Sequence, residues 1–289
     1  MKVGFVRVVE NTRLYGNTYI MWCAPSTGSG QVDTDLTRGA APGQFLMLRC
    51  VDLMPGTEGP PSAASLANDP LLPRAMSYHR LRQTDNGTEF SILYDVVGRG
   101  TAWLARRQPG DAVFAWGPLG RGYSLRPSEG RTGQNLLLVG GGIGIAPLLW
   151  LAEEAVAKGK SVVLIDGARD AHGVFPAEHV PPEVEMVVTT EDGSLGRKGR
   201  VTDVFLDSYA WADVVYACGP NPMFAALAEL LVKHEGSQRT RRRKPVQALL
   251  ESAMGCGTGI CYGCAVFDRR GEPRLVCKDG PRFELRDIW

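Results

Sequence analysis

The sequence predicts a β plus α/β multidomain protein: an antiparallel barrel, a doubly wound α/β domain, and a small cysteine-rich module at the end of the chain. Three observations predict it. Short apolar alternations broken by turn residues run from the start to about residue 130. After the segment GRTGQN the period changes to strand, glycine turn, helix, strand. Near the end, ESAMGCGTGICYGCAVF gathers three of the 7 cysteines on a loop made largely of glycine. The corresponding divisions are 1–130, 131–238 and 245–289.

Composition narrows the classes. A hydrophobic content of 44% suits a packed globular chain, and 32 Lys+Arg against 31 Asp+Glu leave a formal net charge of +1. That balance offers no basic face for nucleic acid or an anionic membrane surface. No apolar run approaches the roughly 20 residues a bilayer span needs. The stretch MKVGFVRVVENTRLYG lacks the apolar core of a signal peptide. The expectation is a cytoplasmic chain without a membrane span, in which clustered cysteines bind metal more often than each other.

In chain order, VGFVRVVEN, TYIMWCAP, GQFLMLRC, TEFSILYDVV and DAVFAWGPLG are rich in β-branched and aromatic residues and bounded by Gly, Pro, Asn and Asp. They read as antiparallel strands. Asn86-Gly87 and Pro109 to Asp111 are turn signals between them. One helical piece, GTAWLARR, interrupts the series, and the pattern as a whole suggests a small barrel. Between Cys50 and Pro73 the text turns to Pro, Gly, Ser and Ala and reads as an extended surface loop, with a lid as the alternative.

LLLVGGGIGIAPLLWLAEEAVAKGKSVVLIDGARD reads as a βαβ unit of a parallel sheet, which EVEMVVTTED and DVVYACGPNPMFAALAELLVKH continue. The basic run RTRRRK, 239–244, reads as a solvated linker, with a docking surface as the alternative.

The glycine turn, Gly140 to Pro147, follows a buried-looking strand and opens a helix. Gly141, Gly142 and Gly144 let the backbone approach a diphosphate, and the helix start supplies unpaired N–H groups. Pro147 stands where the usual fingerprint has its third glycine, and suits a first helical turn. A plain tight turn is the competing reading. Cys218, Gly219 and Pro220 sit where the last parallel strand ends, on the side where open α/β sheets bind ligands. They face a nicotinamide if the glycine loop holds its diphosphate; otherwise Cys218 is a small buried hydrophobe. In the barrel half, RAMS (Arg74, Ala75, Met76, Ser77) offers an arginine for a phosphate and a hydroxyl for a flavin edge, and Gly100 and Thr101 open a helix that suits a diphosphate. Each is weak alone, since isolated Arg and Ser are usually surface residues.

The cysteine loop carries more information. Cys256, Cys261 and Cys264 are spaced C-x4-C-x2-C, with Cys277 after twelve more residues, which is the spacing of plant-type 2Fe-2S ligation. The interleaved glycines let the loop wrap an inorganic core and aim N–H groups at sulfur. A structural zinc site usually pairs two C-x2-C knuckles, and only one is present. The module is near the size at which a metal is needed to hold a fold, so a bound cluster is expected to lie near solvent or a partner.

PGQF, RAMS, YDVVGRGT, GPLG, GGGIGIAP, TEDGSLGRKGRVTD, YACGPNPM and the cysteine loop, in that order, resemble the iron-sulfur flavoprotein electron-transfer subunits of class 1B dihydroorotate dehydrogenase, within the ferredoxin reductase superfamily. The resemblance spans nearly the whole chain. It implies a six-stranded FAD-binding barrel, a Rossmann-like NAD-binding domain and a C-terminal 2Fe-2S domain. By motif it assigns Arg74, Ala75, Met76 and Ser77 to the flavin segment, with Met76 where relatives place an aromatic ring. It assigns Ile92, Leu93 and Tyr94 to the strand beside the flavin, Gly100 and Thr101 to the FAD diphosphate turn, and the four cysteines to the cluster.

The function implied is electron transfer between a partner dehydrogenase and NAD(H) in pyrimidine biosynthesis, with no side-chain acid or base and with Cys218 beside the nicotinamide. A flavin between a hydride carrier and a one-electron cluster converts two-electron into one-electron traffic. The partner implied is an FMN-containing catalytic subunit, in a heterotetramer with two of each. Related reductase subunits serving ferredoxin, a sulfur or sulfite reductase, or a hydrogenase share these modules, and Arg197 and Lys198 raise NADP as an alternative. The alternative of another class is a zinc-stabilised nucleotide sensor.

Overall fold

A computed structural model describes residues 1–25, 35–50, 72–125, 133–236 and 243–289. The first part is built from β1 (Lys2–Tyr15), β2 (Thr18–Pro25), β3 (Phe45–Arg49), β4 (Arg74–Ser77), β5 (Arg80–Thr84) and β6 (Gly87–Asp95), then helix α1 (Arg99–Ala105) and β7 (Ala112–Leu119). Their hydrogen-bonded order is β4-β3-β7-β1-β2-β6-β5, antiparallel wherever strands pair. The resemblance implies six strands where seven are present. β4 and β5 are one run bent at Tyr78 and His79: the Tyr78 N–H still donates to Gln44 on the β3 side (3.1 Å), while the His79 N–H donates to Ser91 of β6 (2.8 Å). The run changes partner at the bend, so a single crossing strand closes the six-stranded barrel, and closure removes its free edges. Its interior is filled by Val6, Met21, Leu46, Leu48, Ile92 and their neighbours.

The second part is a doubly wound sheet. Strand β8 (Asn135–Gly141) leads through a tight turn into α2 (Ala146–Ala157), followed by β9 (Ser161–Ala168), β10 (Val184–Thr190), the short β11 (Arg197–Lys198), α3 (Val201–Tyr209), β12 (Val214–Cys218) and α4 (Asn221–Gly236). The cysteine segment contributes β13 (Val246–Leu249), a small hairpin of β14 (Ala265–Phe267) and β15 (Pro273–Leu275), then β16 (Arg282–Glu284) and α5 (Leu285–Ile288). The large sheet runs β11-β10-β9-β8-β12-β13-β16, parallel except for the last pair. Val246–Leu249 and Arg282–Glu284 are therefore strands of this sheet, and the cysteine loop is an excursion between them. Val246, Ala248 and Leu249 are buried because they pair with the apolar strand Val214–Cys218, a match that composition around residue 245 does not reveal.

The two parts are held on both sides of α2 and β12. Arg80 of the barrel pairs with Glu153 of α2 at 2.6 Å, and Nδ1–H of the buried His79 donates to the Ala146 carbonyl at 2.8 Å. Burial first, then the Arg80 charge, lowers His79 to about 3, so it stays neutral and serves as a fixed donor. Further along, the Tyr123 hydroxyl donates to Ala217 (3.0 Å) and that of Tyr216 to Ser124 (2.9 Å). Residues 51–71 and 237–242, which hold most of the proline-rich loop and of the basic run, lie outside the described residues. Among the described residues, no helix is long and apolar enough to cross a membrane.

Candidate electron-transfer site

Arg74 opens β4, and its guanidinium stands over Gly100 in the first turn of α1. A Cβ on Gly100 would lie 2.4 Å from Nε, 2.6 Å from Cζ and 2.8 Å from Nη2 of Arg74. Two motifs that were separate in the sequence thus form one feature: a cation packed on bare backbone. The neighbouring turn is fixed by Thr101, whose hydroxyl accepts from the N–H groups of Val97 (2.9 Å) and Gly98 (3.2 Å) and donates to the Gly98 carbonyl (3.1 Å). A pyrophosphate fits such a cradle, since only glycine leaves room for both the arginine and an anion.

Along β4, Ala75 is exposed while Met76 and Ser77 are half-buried. Strand β6 divides its side chains by parity. Ile92 and Tyr94 point into the barrel core, where the Tyr94 hydroxyl donates to Asn11 Oδ1 at 2.9 Å. Leu93 faces the other way, into the apolar cluster that contains Ile145, Cys218 and Leu249. Of the three residues, only Leu93 turns its side chain toward the nucleotide half; Ile92 and Tyr94 can offer a ligand only backbone.

In the glycine turn, Gly142 has φ +55° with open space around its Cβ position. Gly144 is tighter: a Cβ there would lie 2.2 Å from the Cys218 carbonyl oxygen and 2.7 Å from the Gly219 nitrogen. Gly141 and Gly219 are likewise pressed on Met223, the first against its Sδ at 2.8 Å and the second against its Cε at 2.7 Å. The glycines bring the start of α2 against the end of β12, so GGGIGIAP and CGPNPM form one wall at the carboxyl ends of the strands. The Cys218 thiol is buried, and burial followed by the Glu251 charge pushes it well above the ordinary thiol range. It is not a nucleophile; it shapes the wall. Pro220 beside it is exposed. Glu251, two residues beyond the strand partner of Cys218, is raised by desolvation of its carboxyl and then by Asp95. Glu251 of the sheet half and Asp95 of the barrel half thus feel each other's charge, and no motif marked either. Arg197 pairs with Asp207 at 2.7 Å, and Lys198 is exposed beside it.

The cysteine loop lies on the barrel. The Trp116 indole donates to the Cys256 carbonyl at 3.1 Å, and a Cβ on Gly257 would meet Met47 Cγ at 2.6 Å and Leu119 Cδ1 at 3.1 Å. Cys264 and Cys277 are buried, with sulfurs 3.2 Å apart; Cys256 is half-buried and Cys261 exposed. Backbone N–H groups already point at sulfur: Thr258 (3.3 Å) and Cys261 (3.5 Å) to Cys256 Sγ, Gly263 (3.4 Å) to Cys261 Sγ, Cys277 (3.5 Å) to Cys264 Sγ. Desolvation raises the Cys256 thiol, but the N–H groups of Cys261 and Thr258 outweigh it and bring it down to about 5. Cys277 is pushed up to about 12 by desolvation and then by the Cys264 thiol. Among the described residues no three of His, Cys, Asp or Glu converge as the ligands of one metal ion would. Four thiols with N–H donors on three of them suit a sulfur-bridged cluster, whose charge such donors stabilise. Met47 and Trp116, which seat the loop, lie in ordinary strand text and carry no sequence signal.

Residues 251–288 match the family model for the iron-sulfur cluster binding domain of dihydroorotate dehydrogenase B, and residues 138–229 match the oxidoreductase NAD-binding domain. Among relatives, the electron transfer subunit of dihydroorotate dehydrogenase B (NAD(+)) from Bacillus caldolyticus is 40% identical over 76% of this chain and 81% of its own. The subunit of that name from Geobacillus thermodenitrificans is 36% identical over 91% of both chains. That from Desulforamulus reducens is 34% identical over 92% of this chain and 94% of its own. Among solved structures, an NADH-dependent reduced ferredoxin-NADP oxidoreductase superposes with a TM-score of 0.74 at 24% identity, covering 99% of this chain and 90% of that one. A ferredoxin NADP+ reductase from Neisseria gonorrhoeae, solved with FAD and NADP, gives 0.55 at 16% identity, covering 81% and 92%. These structures share the fold.

Proposed function

The chain belongs to the family of dihydroorotate dehydrogenase B electron transfer subunits, and from that membership we propose that it carries electrons between a partner dehydrogenase and NAD through a 2Fe-2S cluster and FAD. Dihydroorotate oxidation, a step of pyrimidine biosynthesis, would supply the electrons. The observation that carries the proposal is the seating of the cysteine loop on β3: Gly257 rests against Met47, and Met47 is the strand partner of Ala75 in the Arg74–Ser77 segment.

When bound, FAD exchanges a hydride with nicotinamide and single electrons with an iron-sulfur cluster. The chain supplies position. Arg74, Gly100 and Thr101 hold the FAD diphosphate, and Ser77 lies toward the reactive edge. Gly141, Gly142 and Gly144 take the NAD diphosphate, while Cys218, Gly219 and Pro220 bound the nicotinamide. Cys256, Cys261, Cys264 and Cys277 ligate the cluster. No side chain needs to move a proton. The parts act as three units, 1–130, 131–238 and 245–289, the last joined to the second by Val246–Leu249 and Arg282–Glu284.

The partner is an FMN-containing catalytic subunit, assembled two with two in the cytoplasm. The loop's surroundings support a stable partner: Ile260 and Tyr262, which flank Cys261, and Phe267 of the following hairpin are exposed at 81%, 64% and 67%, more apolar surface than an electrostatically steered encounter calls for. The test is reconstitution with that subunit. Dihydroorotate should then reduce NAD, and replacing the cluster cysteines with alanine should abolish it. NAD reduction at an undiminished rate without dihydroorotate, or without those cysteines, would overturn the proposal.

A further inference from the structure

Cys256 is held from both sides. Its carbonyl accepts from Trp116, and the next residue, Gly257, sits in the left-handed region at φ +72° with its α-carbon on the barrel wall. A Cβ there would meet Met47 Cγ at 2.6 Å, Met47 Sδ at 3.0 Å and Leu119 Cδ1 at 3.1 Å. Met47 is fully buried and paired in register with Ala75 on one side and Trp116 on the other, so it has no open space to retreat into. One strand, β3, stands between the loop and β4, and neighbouring strands are about 4.8 Å apart. The other left-handed glycines of the segment differ: Gly259 meets the flexible Lys278 side chain, and Gly271 has nothing within 4 Å.

We propose that Gly257 is a positioning residue for electron transfer: seated on Met47, it fixes how closely the cysteine loop stands to the Arg74–Ser77 strand, and so sets the rate at which an electron crosses between cluster and flavin. The inference rests on the reading above, that these two segments hold those groups. It adds a requirement the ligands do not explain, since Gly257 ligates nothing. A methyl group at this position must lift the loop or displace a packed core residue, and electron tunnelling slows exponentially as the gap widens.

The test uses the full chain with its flavin and cluster, mixed anaerobically with NADH in a stopped-flow instrument. NADH delivers two electrons to the flavin as hydride; one passes to the cluster and the other stays on the flavin. Bleaching of the two groups is followed separately, and the reduction potential and electron-spin signal of each are measured beside it. Gly257→Ala is expected to bleach its flavin at the wild-type rate and its cluster several-fold more slowly, with both potentials unchanged. Gly271→Ala, which carries left-handed strain without the contact, should match wild type. The double variant Gly257→Ala, Met47→Ala, which makes room for the methyl group, should recover most of the rate. Wild-type cluster reduction in Gly257→Ala, an equal loss in Gly271→Ala, or no recovery in the double variant would overturn the inference. If Gly257→Ala fails to hold its cluster, the double variant decides alone: a loaded, fast protein supports the inference and a loaded, slow or unloaded one overturns it. A wild-type protein without flavin, or with a cluster that NADH never reduces, sinks the underlying reading instead.

Discussion

The indole N–H of Trp116, on the last barrel strand, donates to the carbonyl oxygen of Cys256 at 3.1 Å, joining residues 140 positions apart. The bond ties the first cysteine of the loop to the barrel rather than to the sheet from which the loop emerges. Trp116→Phe keeps the ring and removes the donor. A lost neutral hydrogen bond costs about 1 kcal/mol, so cluster loss to a chelator should quicken about fivefold while flavin content holds. Unchanged cluster lifetime would mean that the bond does not hold the loop.

The cradle at Gly100 makes a second expectation. A methyl group there displaces the Arg74 guanidinium, a flexible group that can swing away, so the fold survives. The anion loses its charge-assisted partner, worth about 1.5–3 kcal/mol. Gly100→Ala should therefore bind FAD about 10- to 100-fold more weakly, read by flavin fluorescence during dialysis, at nearly unchanged thermal stability.

Asp166 carries a pH dependence. Its carboxyl is buried in β9, accepts from the Phe175 N–H at 2.9 Å through Oδ2, and leaves Oδ1 without a partner. Burial raises it to about 7, against the modest opposing effect of the Phe175 bond. A raised carboxyl binds its proton more tightly folded than unfolded, so its stabilising contribution is full below about pH 4 and is lost as pH rises toward 7. Asp166→Asn removes that slope. Melting temperatures between pH 5 and pH 8 should fall more in wild type than in the variant; parallel curves would count against a buried, titrating Asp166.

Tyr262 is the only non-glycine residue with positive φ among those described, at 58°. The conformation costs a bulky residue roughly 1–2 kcal/mol and is compatible with Gly263 N–H reaching Cys261 Sγ. Its ring is exposed, so the strain gains no packing within the chain. Tyr262→Gly should leave thermal stability equal or up to about 1 kcal/mol higher and weaken binding of the dehydrogenase partner, measured by titration calorimetry. Undiminished affinity would mean that the ring lies outside the interface.

Much of this organisation was legible in the sequence because it rests on local periods. Val3–Asn11 and Asp111–Gly120 alternate as strands do, and Leu136 to Asp170 shifts to the longer period of a βαβ unit. What was not legible depends on pairing at a distance. Arg74–Thr84 has too little apolar alternation to read as a strand, and its bend appears only where Tyr78 and His79 find different partners. Val246–Leu249 reads as the start of the cysteine module until Val214–Cys218 is set beside it. The four cysteines were legible from spacing, whereas Met47 was not, because its importance comes from Gly257, far along the chain. Ile92 and Tyr94 were assigned by motif without regard to parity, and parity turns both inward.

The placement of the cysteine loop between two strands of one sheet changes what loading it requires. Ala248 pairs with Phe283 and Leu249 with Arg282, and the Leu250 N–H donates to the Pro281 carbonyl at 2.9 Å, so the mouth of the loop is closed by backbone hydrogen bonds of the sheet. Closing a loop of this length in a free chain is an entropic penalty that a small metal-folded module must meet from ligand binding alone. Here the pairing of two sheet strands shares that penalty, so it does not fall on the ligands alone.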